Sequence, residues 1–438
     1  MKQSCYNIKF EESNGVILYN IATDGILQLA PQTAELLDSY ADKVGDLRLI
    51  YPDLFNALEC HGFIVDDNVD ETRALIDKWS KQFAATDTFR LTVNPTLNCN
   101  LCCWYCYESH SSNMVMSDDI LERTKLLIRN KVGDKDLKMF NLDFFGGEPL
   151  LQFDRIVMPL ISVAVEVCNQ NGKQLHLSFT TNGVLLTPEH IAIIERQLKC
   201  INGYKVVPSF QITLDGNRYF HDKVRKTPVG KGSYDAIMAN IKVALSHGFD
   251  IFVRFNTTNE NIDSYLDVID DFADIPKEHT VHLQFDLQSV WQDNTSPQTR
   301  EKLSRLSEEL TAEGYRVQIH KLCNRKFCYA DKENTAVVNY DGNVYKCTAR
   351  EFHPELAEGS LSTDGRIIYN SRYVRRMALR FGNSVCRKCD IYPICHGGCT
   401  QDKIENEGLD ICLRHYTNED RMKIIRERLR YLINNSKK

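Results

Sequence analysis

No stretch of this sequence approaches the roughly 20 uninterrupted apolar residues of a membrane-spanning helix. The opening residues, Met1-Lys2-Gln3-Ser4-Cys5-Tyr6-Asn7, contain no apolar core of a secretory signal. Positive charge is not in excess: 53 Lys and Arg stand against 59 Asp and Glu, a net charge of −6, so the electrostatic footprint of a nucleic-acid binder is missing. With 43% hydrophobic and 26% charged residues, the composition is neither that of a disordered chain nor that of a fibrous one. These absences predict a cytoplasmic globular protein with no membrane and no nucleic-acid partner. A length of 438 residues corresponds to about three domains. What is abundant is cysteine, with 16 residues, and in a reducing compartment that argues for metal or redox chemistry over a disulfide framework.

The cysteines divide the chain. Cys5, Cys60, Cys168 and Cys200 are isolated, Cys99, Cys102, Cys103 and Cys106 cluster, and eight more lie between Cys323 and Cys412. Residues 1–88 carry no cysteine motif. There Ile8–Glu11 and Val16–Tyr19 read as a hairpin around Ser13-Asn14-Gly15. Ala34–Leu37 and Leu54–Leu58 read as short helices, Gly62–Val65 as a strand and Asp70–Phe83 as a connecting helix, an order that suggests a winged-helix-like domain.

From Phe89 to Leu287, strand patterns (Phe89–Asn94, Asn141–Phe145, Leu175–Thr180, Phe210–Leu214, Ile251–Asn256, Val281–Leu287) alternate with helical patterns near 117–131, 153–169, 188–198, 233–247 and 260–272. Repeated strand–helix units predict an α/β fold on a parallel sheet, here six units forming a partial (β/α)6 TIM-like barrel. Sites in such sheets sit at the carboxyl ends of the strands. A further helix is expected over 297–316, then short strands, Gly turns and cysteines up to about 412, and an amphipathic helix from Asn418 to Ile433.

After the first strand, Cys99, Cys103 and Cys106 give the spacing C-x3-C-x2-C. Three thiolates on one loop suit three irons of a [4Fe–4S] cluster and leave the fourth open to a small molecule. Structural zinc, the alternative, wants four ligands. Cys102 falls outside the spacing and reads as a bystander thiol. Phe144-Phe145-Gly146-Gly147-Glu148-Pro149 ends the second strand, where paired glycines let a backbone come close to a ligand. Thr181-Asn182-Gly183 ends the third, and Thr213-Leu214-Asp215-Gly216 the fourth, followed by His221, Asp222 and Arg225.

This combination resembles the radical S-adenosylmethionine (SAM) superfamily. The resemblance implies that the open iron is chelated by SAM, that Tyr105 lies near its adenine, and that Gly146, Gly147 and Glu148 bind its amino group. Thr213 and Arg225 match positions that contact the ribose and carboxylate. Relatives often have Ser at the first of these, and the hydroxyl is retained. Asp215, His221 and Asp222 read as structural hydrogen-bonding groups. The chemistry implied is reductive cleavage of SAM to a 5′-deoxyadenosyl radical that abstracts a substrate hydrogen, with an electron from a flavodoxin- or ferredoxin-type one-electron donor.

In the C-terminal region, Cys328 is followed after thirteen residues by Gly342 and after four more by Cys347. Then come Cys386-x2-Cys389-x5-Cys395-x3-Cys399 and Cys412. This pattern resembles the SPASM extension of radical SAM enzymes. By that resemblance Cys323, Cys328, Cys347 and Cys399 hold one auxiliary [4Fe–4S] cluster and Cys386, Cys389, Cys395 and Cys412 a second, three clusters in all. Paired structural zinc sites are the alternative for this segment. The implied division is 1–88 winged-helix-like leader-recognition domain with linker helix, 89–315 radical SAM partial barrel, and 316–438 Cys-rich SPASM domain with a terminal helix.

Enzymes of this kind mostly act on peptides or proteins. Sulfatase-maturing relatives, which make formylglycine from Cys or Ser, carry an aspartate base directly after the cysteine of G-x4-C, where this sequence has Thr348. They also begin near the cluster loop, whereas about 88 residues precede it here. The first 88 residues contain seven Lys and Arg against fifteen Asp and Glu, a poor phosphate binder. A winged-helix domain of this kind can take up a leader peptide as an added edge strand. The expected substrate is therefore a ribosomally made precursor peptide, oxidised to a thioether or carbon–carbon crosslink, with formylglycine maturation as the alternative.

Overall fold

The computed structural model describes residues 1–198, 202–319 and 327–435. The chain forms two compact units, each discontinuous in sequence: Ala85–His320 with Lys332–Val374, and Met1–Ala84 with Lys321–Asp331 and Arg375–Lys438.

The first of these units is built on an open eleven-stranded sheet. Its elements are β1 (Thr88–Val93), α1 (Asp118–Val132), β2 (Met139–Phe144), α2 (Met158–Asn171), β3 (Gln174–Thr181), α3 (Pro188–Gln197), β4 (Ser209–Leu214), α4 (Arg218–Val224), α5 (Tyr234–Ser246), β5 (Asp250–Thr257), α6 (Tyr265–Asp270), β6 (Leu283–Ser289), α7 (Pro297–Ala312) and β7 (Arg316–Ile319). Four short strands follow, β8 (Thr335–Val338), β9 (Asn343–Tyr345), β10 (Gly359–Leu361) and β11 (Ile367–Tyr369). Strands β1 to β7 lie side by side in chain order and pair in parallel. The six sequence-read strands are β1–β6, each displaced by at most two residues at either end. The structure adds β7 at one edge and β8 at the other, parallel to β1 (Val338 opposite Val93). Beyond β8 the sheet turns antiparallel through β9, β10 and β11. The α/β class therefore holds, on a sheet larger and more mixed than six units.

Local sequence explains these elements. Ser117 accepts from Ile120 N at the start of α1, with Asp118 and Asp119 in the first turn. Thr187 and Ser296 cap α3 and α7, each followed by Pro at the first helical position. Along the strands every second residue enters the core beneath the helices: Leu91 and Val93, Leu142 and Phe144, Leu177 and Phe179, Ile212 and Leu214, Val253 and Phe255, Phe285 and Leu287. Stacked rings run across it, Phe144 to Phe179 at 5.1 Å and Phe179 to Phe210 at 4.6 Å between centroids. A parallel sheet buried on both faces reads as continuous apolar runs. Here the alternate positions are polar, so the other face of the sheet lines a cavity instead of a second core.

In the other unit, strands Asn7–Glu12, Gly15–Asn20 and Gly25–Leu29 form an antiparallel meander, and Lys2–Gln3 pairs with Ile64–Val65. The hairpin read around Gly15 is present, with a third strand that the sequence reading left out. Gly15 has φ +134°, and a Cβ on it would meet Leu29 O at 2.4 Å. Helices Pro31–Ser39, Pro52–Cys60 and Glu71–Phe83 follow, the last capped by Asp70. Tyr6, Phe10 and Tyr19 pack with Ile394, Ile425 and Leu429, so the helix Asn418–Asn435 is part of this unit's core. No described helix of either unit is long and apolar enough to cross a membrane.

Candidate active site

The site lies beyond the carboxyl ends of β1 to β5. Cys99, Cys103 and Cys106 sit on the loop after β1, and Gly146, Gly147 and Glu148 follow β2. Asn182 follows β3, Asp215 follows β4, and Thr213 and Asn256 lie within the last residues of β4 and β5.

The glycine pair holds the cysteine loop in place. Gly146 has φ +102°, and a Cβ there would meet Thr96 O at 2.5 Å. A Cβ on Gly147 would fall 2.3 Å from Asn98 O and 2.5 Å from Leu97 O. Gly147 N donates to Thr96 O (3.1 Å) and Glu148 N to Asn98 O (2.8 Å). Glu148 is fully buried and accepts from Leu150 N (2.9 Å), Asn182 N (2.7 Å) and Thr181 Oγ1 (2.8 and 2.9 Å), which ties the ends of β2 and β3 together. Burial raises its carboxyl, and these four contacts oppose that rise.

A second network fixes Tyr105. Its hydroxyl donates to Asp215 (2.9 and 2.8 Å) and accepts from Arg225 Nη2 (2.8 Å) and Asn256 Nδ2 (3.0 Å), which uses the capacity of a phenol in full. Arg225 also binds Asp215 through Nε, and both residues are buried. The Arg225 guanidinium lies over the Tyr105 ring, 5.9 Å from its centroid. Burial pushes the Cys99 thiol up to about 12 and raises Cys103 and Cys106, and the Arg225 charge opposes burial at all three. Arg225 thus works against burial at this loop, whereas the Glu148 charge raises Cys99 and the Asp215 charge raises Cys103. His221 is buried, accepts from Asp215 N on Nδ1 (3.4 Å) and meets Ser233 Oγ at Nε2 (3.1 Å). Burial holds it well below the ordinary histidine range, so it is a neutral hydrogen-bonding group. Asp222 accepts from Ser233 N and Tyr234 N at the start of α5.

Four residues close to the loop were not singled out from the sequence. Asn256 completes the Tyr105 network. Gln292 Nε2 donates to Tyr105 O at 2.7 Å. His110 faces the Cys106 thiol with Nε2 (3.3 Å) while Nδ1 meets Leu97 O (2.6 Å). Glu108 is 8% exposed, neither carboxylate oxygen has a hydrogen-bond partner among the described residues, and burial pushes its carboxyl up to about 7. None of the four stands in a spacing motif. The alternation of β5 marked position 256 as inward-facing, and the rest had no signal. Cys102 is exposed.

One cavity borders this centre, and a second opens on the polar sheet face, where it includes Ser209 and Asp250, the first residues of β4 and β5. The first, of about 340 Å³, is lined by Trp104, Tyr105, Asp215, Phe220 and Val224. The second has a volume of about 360 Å³. There Arg254 binds Asp286 (3.0 and 2.9 Å), Arg90 binds Asp143 (3.1 Å), and His176 and Gln211 join them. Thr213 is buried beside Arg254 in the strand register.

In the other unit Cys386, Cys389, Cys395 and Cys412 line one cavity of about 300 Å³ with Lys388, Tyr416 and Arg421. Cys328 and Cys399 belong to the same unit and Cys347 to the sheet unit. Cys323 lies outside the described residues.

Residues 93–272 match the model of the Radical SAM superfamily. This stretch is a radical SAM domain. The chain is 27% identical over 186 residues to the serine-type anaerobic sulfatase-maturating enzyme of Bacteroides thetaiotaomicron, a match spanning 40% of this chain and 41% of that enzyme. In fold it is similar to native anSMEcpe with bound AdoMet (TM-score 0.60, 20% identity, 79% of this chain and 99% of the other). It is also similar to Streptococcus suis SuiB bound to its precursor peptide SuiA (TM-score 0.52, 14% identity, 92% of this chain and 96% of the other). The chain thus carries a radical SAM domain similar to that of the anaerobic sulfatase-maturating enzymes, and a [4Fe–4S] cluster and SAM are the cofactors such a domain requires.

Proposed function

We propose that this enzyme matures a ribosomally made precursor peptide by oxidative crosslinking, as a thioether or carbon–carbon bond. The observation that carries the reading is the reach of the fold likeness. It extends over 92% of this chain with the peptide-bound SuiB and over 79% with anSMEcpe. The N-terminal meander supports it, since its outer strands offer edges to a leader peptide in a winged-helix-like recognition domain. Thr348 supports it as well, standing where sulfatase maturases carry their aspartate base.

Cys99, Cys103 and Cys106 would hold the first cluster. The donor set fits: three soft thiols on one loop, with a buried guanidinium whose charge favours their ionised form. When bound there, the cluster and SAM supply hydrogen-atom abstraction from the substrate. Tyr105 is held rigid for the adenine side, and the cavity bordered by Trp104, Phe220 and Val224 adjoins it. Arg225, half neutralised by Asp215, and Thr213 would meet the carboxylate and ribose of SAM. The glycine pair and Glu148 orient the loop. The polar sheet face around Arg254, Asp286 and His176 would receive the peptide, with Phe179 and Phe252 among its lining residues.

The C-terminal cysteines would form a SPASM domain. By the resemblance to that domain, Cys323, Cys328, Cys347 and Cys399 would hold one auxiliary cluster, and Cys386, Cys389, Cys395 and Cys412 would hold the other. Four thiols around one cavity fit the second set. The electron donor is a flavodoxin- or ferredoxin-type protein.

The test is anaerobic co-expression with the short open reading frames beside the gene, and intact mass of each peptide. Loss of two hydrogens per site, with fragmentation blocked across a ring, is the expected result. The likeness to the Bacteroides enzyme favours a second reading, formylglycine maturation. Formylglycine on a co-expressed sulfatase, with every peptide unchanged in mass, would replace the first reading by the second.

A further inference from the structure

Lys403, on the short helix Thr400–Glu405, is 3% exposed. Its Nζ donates to two main-chain carbonyls, Leu379 O at 3.0 Å and Arg380 O at 3.1 Å. Among the described residues no carboxylate lies within ion-pair distance of it. A buried ammonium held by neutral oxygens alone is costly unless an opposite charge stands near.

The surroundings identify that charge. Burial lowers Lys403, and the groups that oppose burial are the Cys386 thiol, the Asp331 carboxyl and the thiols of Cys395 and Cys399. The Asp331 carboxylate, which accepts from Thr400 Oγ1 at 2.6 Å, is one of these charges, and the other three come from cysteines. Gly397, between Cys395 and Cys399, lies against the ammonium: a Cβ on it would stand 3.3 Å from Nζ. The Gly397 carbonyl in turn faces the Cys386 thiol at 3.8 Å. The lysine thus lies against Gly397, which stands between Cys395 and Cys399 and meets the Cys386 thiol through its carbonyl; Gly397, Cys386 and Cys395 all line the 300 Å³ cavity.

We propose that Lys403 is the fixed cation that sets the reduction potential of the auxiliary iron–sulfur cluster held by Cys386, Cys389, Cys395 and Cys412, and so makes that cluster a better electron acceptor. The inference rests on the auxiliary-cluster reading above. Taking up one electron adds negative charge to a thiolate-bound cluster, and net charge together with nearby hydrogen-bond donors sets such potentials. A buried ammonium beside two of the four ligands stabilises the reduced form most. The lysine is a positioning residue in this sense, since it touches the frame of the cluster and not the substrate.

The experiment compares the full wild-type chain with Lys403→Met, Lys403→Gln and Lys403→Arg, all reconstituted anaerobically. Iron and sulfide are counted, and the auxiliary signals are titrated by paramagnetic resonance with redox mediators. The neutral variants should shift the reduction equilibrium at least tenfold toward the oxidised form, about 59 mV lower for one electron. Lys403→Arg should stay within a factor of three of wild type. Loaded neutral variants with an unchanged equilibrium would overturn the inference, as would an arginine variant displaced as far as the neutral ones. If neither neutral variant loads, loading by the arginine variant supports the need for charge, and its failure overturns it. Wild-type protein with iron only for the cluster-loop site would overturn the auxiliary-cluster reading itself, and this inference with it.

Discussion

Three buried charged residues of the sheet unit make predictions at the scale of single residues. Burial pushes the Glu108 carboxyl up to about 7, from an ordinary value of 4.5 that holds for the unfolded chain. The folded state therefore prefers it protonated. The stability this carries is complete below pH 4.5 and is lost as pH rises to about 7. Urea denaturation of the metal-free chain should show Glu108→Gln gaining on wild type across that range, by up to about 3 kcal/mol at neutral pH. Equal pH profiles for the two proteins would contradict it. Asp215 and Arg225 behave differently, because each compensates the other. Asp215→Ala should cost about 3–5 kcal/mol by leaving Arg225 buried and unpaired, and the Asp215→Ala/Arg225→Met double variant should cost much less than the sum of its parts. A double-mutant cycle by denaturation measures this coupling. These residues illustrate what is hidden at this scale. Asp215 and Arg225 stand out in the sequence beside a strand end, but that one saturates the Tyr105 hydroxyl together with the other is set by contacts across 110 and 120 positions.

Elements were the most legible level. Alternation of period two located β1 to β6, and helical patterns located α1, α2, α3, α5 and α6, while the short α4 was not read. Both signals are local, and the sheet reinforces them. The short strands β7 and β8 were harder. Each has only four residues, and β8 joins β1 across about 245 positions, a pairing that no local pattern encodes. The paired glycines after β2 show the same limit in a motif. Their presence is read directly, as a place where a backbone comes close to something. The structure shows that what comes close is the cysteine loop itself, at Thr96, Leu97 and Asn98. Gly147→Ala should therefore displace that loop while the sheet persists. The expected result is an unchanged circular dichroism spectrum with a loss of about four irons per chain after reconstitution. Full iron content in this variant would mean the contact can relax at little cost.

At the scale of the molecule, the fully loaded chain should hold about twelve irons with matching sulfide. A triple Cys99/Cys103/Cys106→Ala variant should lose about four of them together with all SAM cleavage, and retained cleavage would refute the assignment of that loop. The unit that carries the N-terminal meander depends on long-range aromatic packing. Trp79 meets Tyr392 at 5.1 Å and His396 at 5.0 Å between ring centroids, and Phe83 stacks on Phe381 at 5.7 Å. Trp79→Ala should destabilise this unit by about 3–5 kcal/mol. Hydrogen exchange should then show residues 1–84 and 375–435 losing protection together, whereas separate loss would mean that they are independent domains.

The sequence by itself determined what short spacings and short periods can carry. The three thiols of one loop, the glycine pair at a strand end, the alternation that makes one sheet face polar, and the family these imply all lie within windows of a few residues. Burial and charge compensation were decided by the tertiary structure. Which carboxylate stands unpartnered, which arginine reaches three thiols, and which lysine shares a frame with cysteines all depend on segments far apart in the chain. Desolvation and Coulomb energy follow distance in space, and the order of residues specifies that distance only after the whole chain has packed.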